Sequence, residues 1–455
     1  MIIINGKEIT INRANAVVSE MDEAYIRLVK QILDEGVQTH NRTGIDTIAI
    51  PGWNYKFNMA NGFPIAETKK VNAKNLTNEI QWIHQVQSNE VKWLTDRDNN
   101  TWNLWVVDAD GIYRVYEQGD NAKYDPERMV PLMEQVINPV TGVLEKIPKL
   151  DKYGKQIMVK SMDVMMGVDE PRTIKEAIWF GPEYAGTIGE AYGFINATYK
   201  KPQSVEWTIK NCPTDRRMQI SLWQDAHIPK AVLPSCVWSS EYKVTPDGKL
   251  HSYVHQRSAD VPLGLPFNIS QYAVLLSMFA KATGLEAGTM SWSIMDAHIY
   301  VNQLEGIKKQ VKRFEYMKEY SNIIQTSTDE DIETLYNKTV ELFDRLHEKA
   351  ITLIGDGIDK MSMSKRVEKI KADDEKNAEF ADEYEEAFER KVSFEHMLTR
   401  ETPELELADV DSIFEFSTDY VDKNDPYLKE NPIGNKDIKL KKYHPTPFIS
   451  MPIAQ

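Results

Sequence analysis

The stretch "HQRSADVPLGLPFNISQYAVLLSMFAKATG", residues 255–284, joins a strand pattern to a long apolar helix. Polar side chains interrupt its first half, which is costly in a protein core unless they pair or bind something. In its second half Tyr272, Leu275, Leu276 and Phe279 recur at helical spacing, and Gly284 is a typical helix end. The stretch therefore predicts a core helix preceded by polar side chains that pair or bind a ligand.

The segments around this stretch indicate strands as well as helices. "MQISLW", "SSEYKV" and "LHSYVHQRS", with the turn "TPDGK", predict an antiparallel hairpin. "DTIAIPGWNYKFNMANGFP" alternates through Tyr55, Phe57 and Met59 and predicts strands with a hairpin turn at Asn61-Gly62. "DEAYIRLVKQILDEG" and "LTNEIQWIHQV" have helical spacing. Helices mixed with long antiparallel strands predict an α+β fold.

Two regions differ from the rest of the chain. Residues of about 106–185 contain proline-glycine punctuation such as "NPVTG" and are interpreted as an irregular insertion or a long lid. Residues of about 312–398 combine an amphipathic helix with a dense run of charge and predict a helical, acidic arm. "SIFEFSTDY" after the arm is strand-like. We expect one catalytic domain, residues 1–455, with these two insertions.

Composition and charge limit the function classes. The net charge of −15 argues against binding to nucleic acid or to an anionic membrane, so an anionic substrate would need a local arginine cluster. Two cysteines among 455 residues, no membrane-length apolar run and no cleavable leader pattern predict a cytoplasmic protein. His251 and His255 lie in a predicted strand without a third ligand, so no metal site is expected.

One cysteine lies in a setting that suggests chemistry. "AVLPSCVWSSEY", residues 231–242, places Cys236 before an alternating strand pattern. Taken alone, a lone cysteine is either an inert core residue or a nucleophile at a pocket. Nearby, "TDRRMQISLW" carries adjacent arginines, and "SWSIMDAHIYVNQLE" places Asp296, His298 and Tyr300 on one side of a strand.

In combination these pieces resemble the thymidylate synthase family, which also includes the phage pyrimidine hydroxymethylases. The resemblance implies a large antiparallel or mixed sheet that forms a dimer interface and is flanked by helices. It covers all but the two inserted regions. The matching pieces, in the family's order, are "NRTGIDTIAIPG", "GFPIAETKK", "NEIQWI", "TWNLW", "GTIGEAYG", "DRRMQISLW", the cysteine, "QRSADVPLGLPFNI", "DAHIYVN" and "YHPTPFISMPIAQ".

The resemblance implies covalent catalysis on a pyrimidine nucleotide. A thiolate adds to C6 of uracil, and C5 then attacks the one-carbon unit of methylenetetrahydrofolate, the co-substrate. The resemblance makes Cys236 the nucleophile and Arg257 its positive neighbour, and it gives Glu79 the role of organising proton transfers through water. Asn268 would select the base. Because the deoxycytidylate hydroxymethylases have aspartate at this position, asparagine indicates dUMP.

The remaining site residues are likewise implied by the resemblance. Tyr192 would border the pocket, His298 and Tyr300 would bind the sugar hydroxyl, and Asp260 would serve both catalysis and folate binding. The phosphate would be held by Arg42, Arg257, Ser258, Arg216 and Arg217. In the family the last two arginines reach across from the other subunit, which implies a homodimer. Folate would contact Lys69, Trp102, Trp105, Asp260, Leu263, Gly264 and Phe267.

Two departures from the synthase pattern bear on the product. Val237 follows the cysteine where synthases have histidine, and Gln455 ends the chain where synthases have an apolar residue. Both favour capture of the methylene intermediate by water, although Trp102, expected to shield it, is retained. The sequence is therefore interpreted as a phage-type dUMP hydroxymethylase that forms 5-hydroxymethyl-dUMP in the host cytoplasm. The alternative is a thymidylate synthase, which forms dTMP and dihydrofolate.

A third hypothesis belongs to another class of function. The chain would then be a catalytically silent relative that serves as a binding or assembly protein, with the acidic arm as its working part. In either case the arm is a candidate surface for other enzymes of nucleotide synthesis. The partners expected with an active enzyme are dUMP, folate and a second copy of the chain, without nucleic acid or membrane.

Overall fold

The computed structural model describes residues 2–4, 6–41, 43–117, 125–161, 173–355 and 357–453, apart from the Glu375 side chain. Helices and sheets are mixed along the chain, so the predicted α+β class is confirmed. The strands are β1 (Ile2–Ile4), β2 (Lys7–Ile9), β3 (Val37–Thr39), β4 (Thr47–Asn58), β5 (Ile112–Tyr116), β6 (Met129–Ile137), β7 (Leu144–Pro148), β8 (Met158–Lys160), β9 (Ile174–Trp179), β10 (Gln219–Ser221), β11 (Val237–Thr245), β12 (Lys249–Asp260), β13 (Glu286–Tyr300), β14 (Glu404–Leu407) and β15 (Ile438–Lys441).

The helices include the core helix and the two helices expected from spacing. A single π-helical turn, Trp82–Val86, continues the second of them. The α-helices are α1 (Glu20–Glu35), α2 (Ala73–Gln81), α3 (Lys92–Thr95), α4 (Gly193–Tyr199), α5 (Lys201–Asn211), α6 (Gly264–Ala282), α7 (Leu304–Thr326), α8 (Asp329–Ile354), α9 (Met363–Asp373) and α10 (Ala378–Thr399).

A six-stranded sheet in the order β10-β11-β12-β13-β4-β3 carries the residues around Cys236. Its neighbours are antiparallel except β12 and β13, which are parallel and joined by α6. The hairpin of β11 and β12 forms as predicted, with Thr245 opposite Lys249. Helix α6 packs on β12, β13 and α2, and this explains why Leu275, Leu276 and Phe279 are all buried.

The strand pairing predicted after β4 is wrong. The chain turns at Gly62, whose φ is +113°, but residues 63–72 continue without a partner strand. Their backbone groups find other acceptors: Phe63 N–H donates to the Pro403 carbonyl at 2.7 Å, and Glu67 N–H donates to Asp22 at 2.9 Å. A turn signal fixes the reversal of the chain, whereas the partner of the next segment is set by distant residues.

Residues 106–185 are more regular than expected. Strands β5, β9, β6 and β7 form a sheet in that order, and β8 pairs with β6. This sheet has its own small core, which includes Val130, Leu132 and Ile174. The interpretation as irregular chain is therefore wrong for the described residues, because short strands between Pro-Gly turns give little periodicity to read. That this region is an insertion stays a prediction.

The segment 412–420 is also different from the expectation. It forms turns, although Ile413 and Phe416 are buried in the main core. The Ser417 N–H donates to the Asp437 side chain at 2.7 Å instead of to a strand. The predicted strand is therefore wrong. The apolar residues of this segment are buried in a loop that packs on the core, and a loop of this kind gives the same pattern as a short strand.

Residues 304–399 form the four helices α7–α10. Tyr320 on α7 and Phe394 on α10 stack with ring centroids 4.1 Å apart. A second cluster farther along the helices contains Leu346, Ile370 and Tyr384. We call these helices the arm. Its assignment as an insertion into a single catalytic domain remains a prediction.

A buried arginine joins the arm to the rest of the protein. Arg313 on α7 makes a bidentate ion pair with Glu389 on α10, at 2.6 and 2.9 Å. Its remaining nitrogen donates to the carbonyls of Thr68 and Pro447, at 2.8 and 2.6 Å, and to the Thr446 hydroxyl at 3.1 Å. One guanidinium therefore ties the arm to the loop before α2 and to the last described segment.

We expect Glu389→Gln to lower the free energy of unfolding by about 3 kcal/mol, because it leaves the buried Arg313 charge without its partner. Urea unfolding followed by circular dichroism measures the change. The matched control is Glu315→Gln, which removes the exposed partner of Lys30 and is expected to cost less than about 1 kcal/mol. Equal losses in the two variants would contradict the prediction.

Candidate active site

Cys236 lies at the junction of three elements. It is half-buried, directly before β11, and its N–H donates to the Tyr192 hydroxyl oxygen at 3.0 Å. Its carbonyl accepts from the Arg257 N–H at 2.9 Å across the β11–β12 pair. Arg257 Nη2 lies 3.5 Å from the Cys236 sulfur. The hairpin thus places the Arg257 guanidinium directly beside the Cys236 thiol.

The Arg257 guanidinium is fixed by further contacts with the same segment. Its Nε donates to the Ser235 carbonyl at 3.1 Å, and Nη2 donates to the Pro234 carbonyl at 2.7 Å. The Trp223 ring centroid lies 5.8 Å from its central carbon. A guanidinium held on several sides keeps its orientation toward the sulfur.

Tyr192 borders Cys236 directly before α4. The next residue, Gly193, packs closely on the Ser88 carbonyl, with which a Cβ at this position would clash. Tyr192 itself has a φ of 49° and is buried. Burial, with Cys236 as the next cause, raises the pKa of the Tyr192 hydroxyl, so the phenol remains neutral and able to bond Cys236.

Glu79 is a buried carboxyl with an unusual titration. It lies on α2 with 5% of its surface exposed, and burial raises its pKa to about 7. Gln271 and Trp102 oppose the shift by stabilising the charged form. Three buried atoms here, Glu79 Oε2, Trp102 Nε1 and Gln271 Nε2, make no geometrically sound hydrogen bond within the described chain. The Glu79 carboxyl, with a pKa of about 7, is therefore suited to proton transfer near neutral pH.

Asn268, on the second turn of α6, is held at both ends of its carboxamide. Gln256 Nε2 donates to Asn268 Oδ1 at 3.2 Å, and Asn268 Nδ2 donates to Gln271 Oε1 at 3.0 Å. Gln256 is in turn fixed because Trp292 Nε1 donates to its Oε1 at 3.2 Å. Asn268 thus keeps one lone pair and one N–H for another partner.

The polar ends of β12 and β13 form a second group. Ser258 Oγ donates to Asp296 Oδ2 at 3.0 Å, and His298 Nδ1 lies 3.2 Å from the same oxygen. His298 lowers the pKa of Asp296, so the carboxylate is charged at neutral pH. The rings of His298 and Tyr300 lie 5.1 Å apart. The parallel pairing of β12 with β13 brings these side chains together.

Asp260 connects the end of β12 to the last described segment. Its carboxylate accepts from the Leu263 N–H at 3.1 Å, and burial raises its pKa. Gln303 Nε2 lies 3.1 Å from Asp260 Oδ2 and donates to the Pro452 carbonyl at 3.0 Å. Gly264 and Phe267 follow at the start of α6.

The remaining predicted folate residues lie in two places. Lys69 is buried and donates to the Pro262 carbonyl, and burial lowers its pKa to about 8 despite the opposing charge of Asp260. Trp102 lies beside Tyr192, with ring centroids 5.3 Å apart, and its ring is 6.0 Å from that of Trp105. Contact of either group with folate stays a prediction.

Some predicted residues are not part of this cluster. Arg216 and Arg217 are exposed before β10, and Arg217 pairs with Asp215 at 2.6 Å. Arg42 and Gln455 lie outside the described residues. The sequence interpretation missed Gln256, Gln271 and Gln303. Gln271 carried a weak signal, a polar amide directly before an apolar helical run, whereas Gln256 and Gln303 lie among polar residues and carried none.

The described ranges contain no group of three or more histidine, cysteine, aspartate or glutamate side chains arranged for a metal ion. In the same ranges, every helix is too short or too polar to cross a membrane.

Comparison with known proteins gives one consistent family. The thymidylate synthase family model matches residues 23–354. The chain is 30% identical over 292 residues to a thymidylate synthase of Clostridium beijerinckii, which covers 64% of this chain and 82% of the relative. It is 32% identical over 295 residues to one of Listeria monocytogenes, at 64% and 86% coverage. The solved thermostable thymidylate synthase A from Bacillus subtilis is 25% identical, covers 64% of this chain and 84% of its own, and has a TM-score of 0.44.

The pKa of Glu79 leads to a prediction about stability and pH. Because burial raises this pKa from 4.5 to about 7, the stability contributed by the protonated form is complete below pH 4.5 and is lost as pH rises to about 7. We expect Glu79→Gln, which cannot ionise, to be more stable than wild type by about 3 kcal/mol at pH 8. Urea unfolding at pH 4.5 and pH 8 measures this. A difference that is the same at both pH values would be incompatible with the raised pKa.

Proposed function

The chain belongs to the thymidylate synthase family, and from this premise we propose that it converts dUMP to dTMP with methylenetetrahydrofolate as co-substrate. The observation that carries the proposal is the 3.5 Å contact between Arg257 Nη2 and the Cys236 sulfur. It provides a nucleophile with a fixed positive neighbour, which the covalent route requires.

The reaction follows from the roles that these residues are able to take. The Cys236 thiolate adds to C6 of dUMP, and C5 becomes nucleophilic and bonds to the methylene carbon of the folate. Loss of the C5 proton and departure of tetrahydrofolate give an exocyclic methylene. Hydride from that folate reduces it, and expulsion of the thiolate gives dTMP and dihydrofolate. Glu79, with a pKa of about 7, is suited to organise the proton transfers.

Substrate selection is assigned to the carboxamide of Asn268. Its free lone pair and N–H match the N3–H and O4 edge of uracil. His298 and Tyr300 would bind the sugar, and Ser258 with Arg257 would bind the phosphate. Arg216 and Arg217 are exposed, which fits the proposal that they serve the site of a second copy in a homodimer.

A dUMP hydroxymethylase is the second candidate. It is favoured by Val237, a buried apolar side chain with 4% exposure directly after the nucleophile, where synthases have histidine. The curated relatives quoted above carry the name thymidylate synthase, and they support hydride capture over the water capture that the sequence analysis preferred. The two reactions give nucleotides of different mass, and one releases dihydrofolate whereas the other releases tetrahydrofolate. One assay of both products therefore separates them.

We expect purified protein with dUMP and methylenetetrahydrofolate to form dTMP together with an equal amount of dihydrofolate. Mass spectrometry of the nucleotide and absorbance of the folate measure the two products. Cys236→Ser is expected to lose at least about 1000-fold in kcat, since a hydroxyl beside Arg257 is a far weaker nucleophile. The control is Cys212→Ser, which changes an exposed cysteine and is expected to retain activity.

Hydroxymethyl-dUMP without dihydrofolate would overturn hydride capture and favour the second candidate. In that case Val237→His is the variant that tests whether the residue after the nucleophile decides the product. Absence of any product, together with absence of a covalent adduct between Cys236 and 5-fluoro-dUMP, would favour the catalytically silent relative.

Asn268→Asp is expected to change the base that is selected. A carboxylate lacks the N–H that meets uracil O4, so the kcat/KM for dUMP is expected to fall by about 100-fold or more. The ratio of dCMP to dUMP turnover is expected to rise. Steady-state kinetics with both nucleotides measure this, and an unchanged ratio would contradict the role given to Asn268.

A further inference from the structure

A directed chain of side-chain hydrogen bonds runs from the sheet to Gln271, whose influence on the pKa of Glu79 extends the chain toward that carboxyl. Trp292 Nε1 donates to Gln256 Oε1, Gln256 Nε2 donates to Asn268 Oδ1, and Asn268 Nδ2 donates to Gln271 Oε1. Indole is only a donor, and the Ser258 carbonyl, which also accepts from Gln256 Nε2 at 3.0 Å, is only an acceptor. These two groups fix the direction of every amide in the chain.

The chain leaves the Gln271 N–H groups to face the carboxyl. Gln271 is 2% exposed, and its Oε1 is occupied by Asn268, so its Nε2 is the group left to act on Glu79. Gln271 lowers the pKa of Glu79 against the effect of burial. Nε2 and Glu79 Oε2 are both buried atoms without a geometrically sound hydrogen bond inside the described ranges. A buried donor beside a buried acceptor is costly unless the two act together.

We infer that Gln271 is a positioning residue for both halves of the proposed reaction: its oxygen holds the Asn268 carboxamide in the orientation that reads uracil, and its nitrogen faces the Glu79 carboxyl. This inference rests on the proposed function, which it deepens by linking base selection to proton transfer. Among the described residues, Gln256 holds the Asn268 carboxamide at its oxygen and Gln271 holds it at its nitrogen, so loss of Gln271 removes the restraint at the nitrogen.

Two variants separate these roles. Gln271→Met keeps the length of the side chain and removes both polar atoms. Gln271→Glu keeps an acceptor for Asn268 Nδ2 and replaces the donor toward Glu79 by a second carboxylate. Ser270→Ala is the matched control, because Ser270 is buried on the same helix and its hydroxyl donates to the Pro64 and Pro266 carbonyls, away from Asn268 and Glu79. Thermal melting of all three variants shows whether the fold is kept.

For Gln271→Met we expect the preference for dUMP over dCMP to fall by about fivefold to tenfold, the effect of one hydrogen bond. The limb of the kcat/KM–pH profile due to Glu79 is expected to move to higher pH, because a group that stabilises the carboxylate is lost. For Gln271→Glu we expect the nucleotide preference to stay within about twofold of wild type. In this variant the Glu79 limb of the kcat/KM–pH profile is expected to move still further to higher pH, since two neighbouring carboxyl groups cannot easily ionise together. Ser270→Ala is expected to change neither quantity.

Isothermal calorimetry with dUMP and dCMP measures the preference without requiring turnover. If wild type selects dUMP and both Gln271 variants match Ser270→Ala in preference and in pH profile, the inference is overturned while the proposed function stands. If wild type binds neither nucleotide, the proposed function itself fails. If Gln271→Met does not fold, Gln271→Glu still decides the inference, because an unmoved limb in that variant would contradict the contact with Glu79.

Discussion

The contact of Arg257 with residues 234–236 is the interaction on which the candidate site depends. One side chain and its own N–H bond the carbonyls of three consecutive residues and approach the Cys236 sulfur. These bonds form only if β11 and β12 pair in their observed register, with the loop before β11 folded back over β12. The charge beside Cys236 is therefore a product of sheet geometry, and shifting the register by one residue would turn Arg257 to the other face.

The interior around this contact is polar in a way that ordinary cores are not. Gln256, Gln271 and Glu79 are nearly fully buried between α2, α6 and the sheet. The Trp292 indole, which only donates, and the Ser258 carbonyl, which only accepts, orient the Gln256 amide. The hydrogen bonds that continue to Gln271 therefore have one allowed direction. Three of the buried atoms without a geometrically sound partner in the described chain belong to Glu79, Trp102 and Gln271, and the last two residues act on the pKa of the first. Polar groups that destabilise the fold while collecting at one place are typical of a reaction site.

The arm contributes to the same region through buried charge. Arg400, the residue that follows α10, makes a bidentate pair with Glu67, at 2.9 and 3.0 Å, and His396 lies 3.3 Å from the same carboxylate. Burial opposes ionisation of Glu67, but His396 and Arg400 lower its pKa, so the pairs hold a charged group in the core. With Arg313, these contacts fix the loop that carries Lys69, so the arm is part of the scaffold behind the proposed folate residues.

The elements with strong periodicity and the family could be predicted from the amino-acid sequence. Helices α1 and α6, the β11–β12 hairpin and the proposed roles of Cys236, Arg257 and Asn268 follow from spacing and from motifs in a fixed order, because both are local properties. The tertiary structure decided the parallel pairing of β12 with β13, the second sheet, the direction of the Asn268 carboxamide and the titration of Glu79 near neutrality. Each of these depends on contacts between residues far apart in the chain, such as Trp292 with Gln256 and Gln271 with Glu79. Burial and hydrogen-bond direction are properties of the packed whole, and no local pattern of residues specifies them.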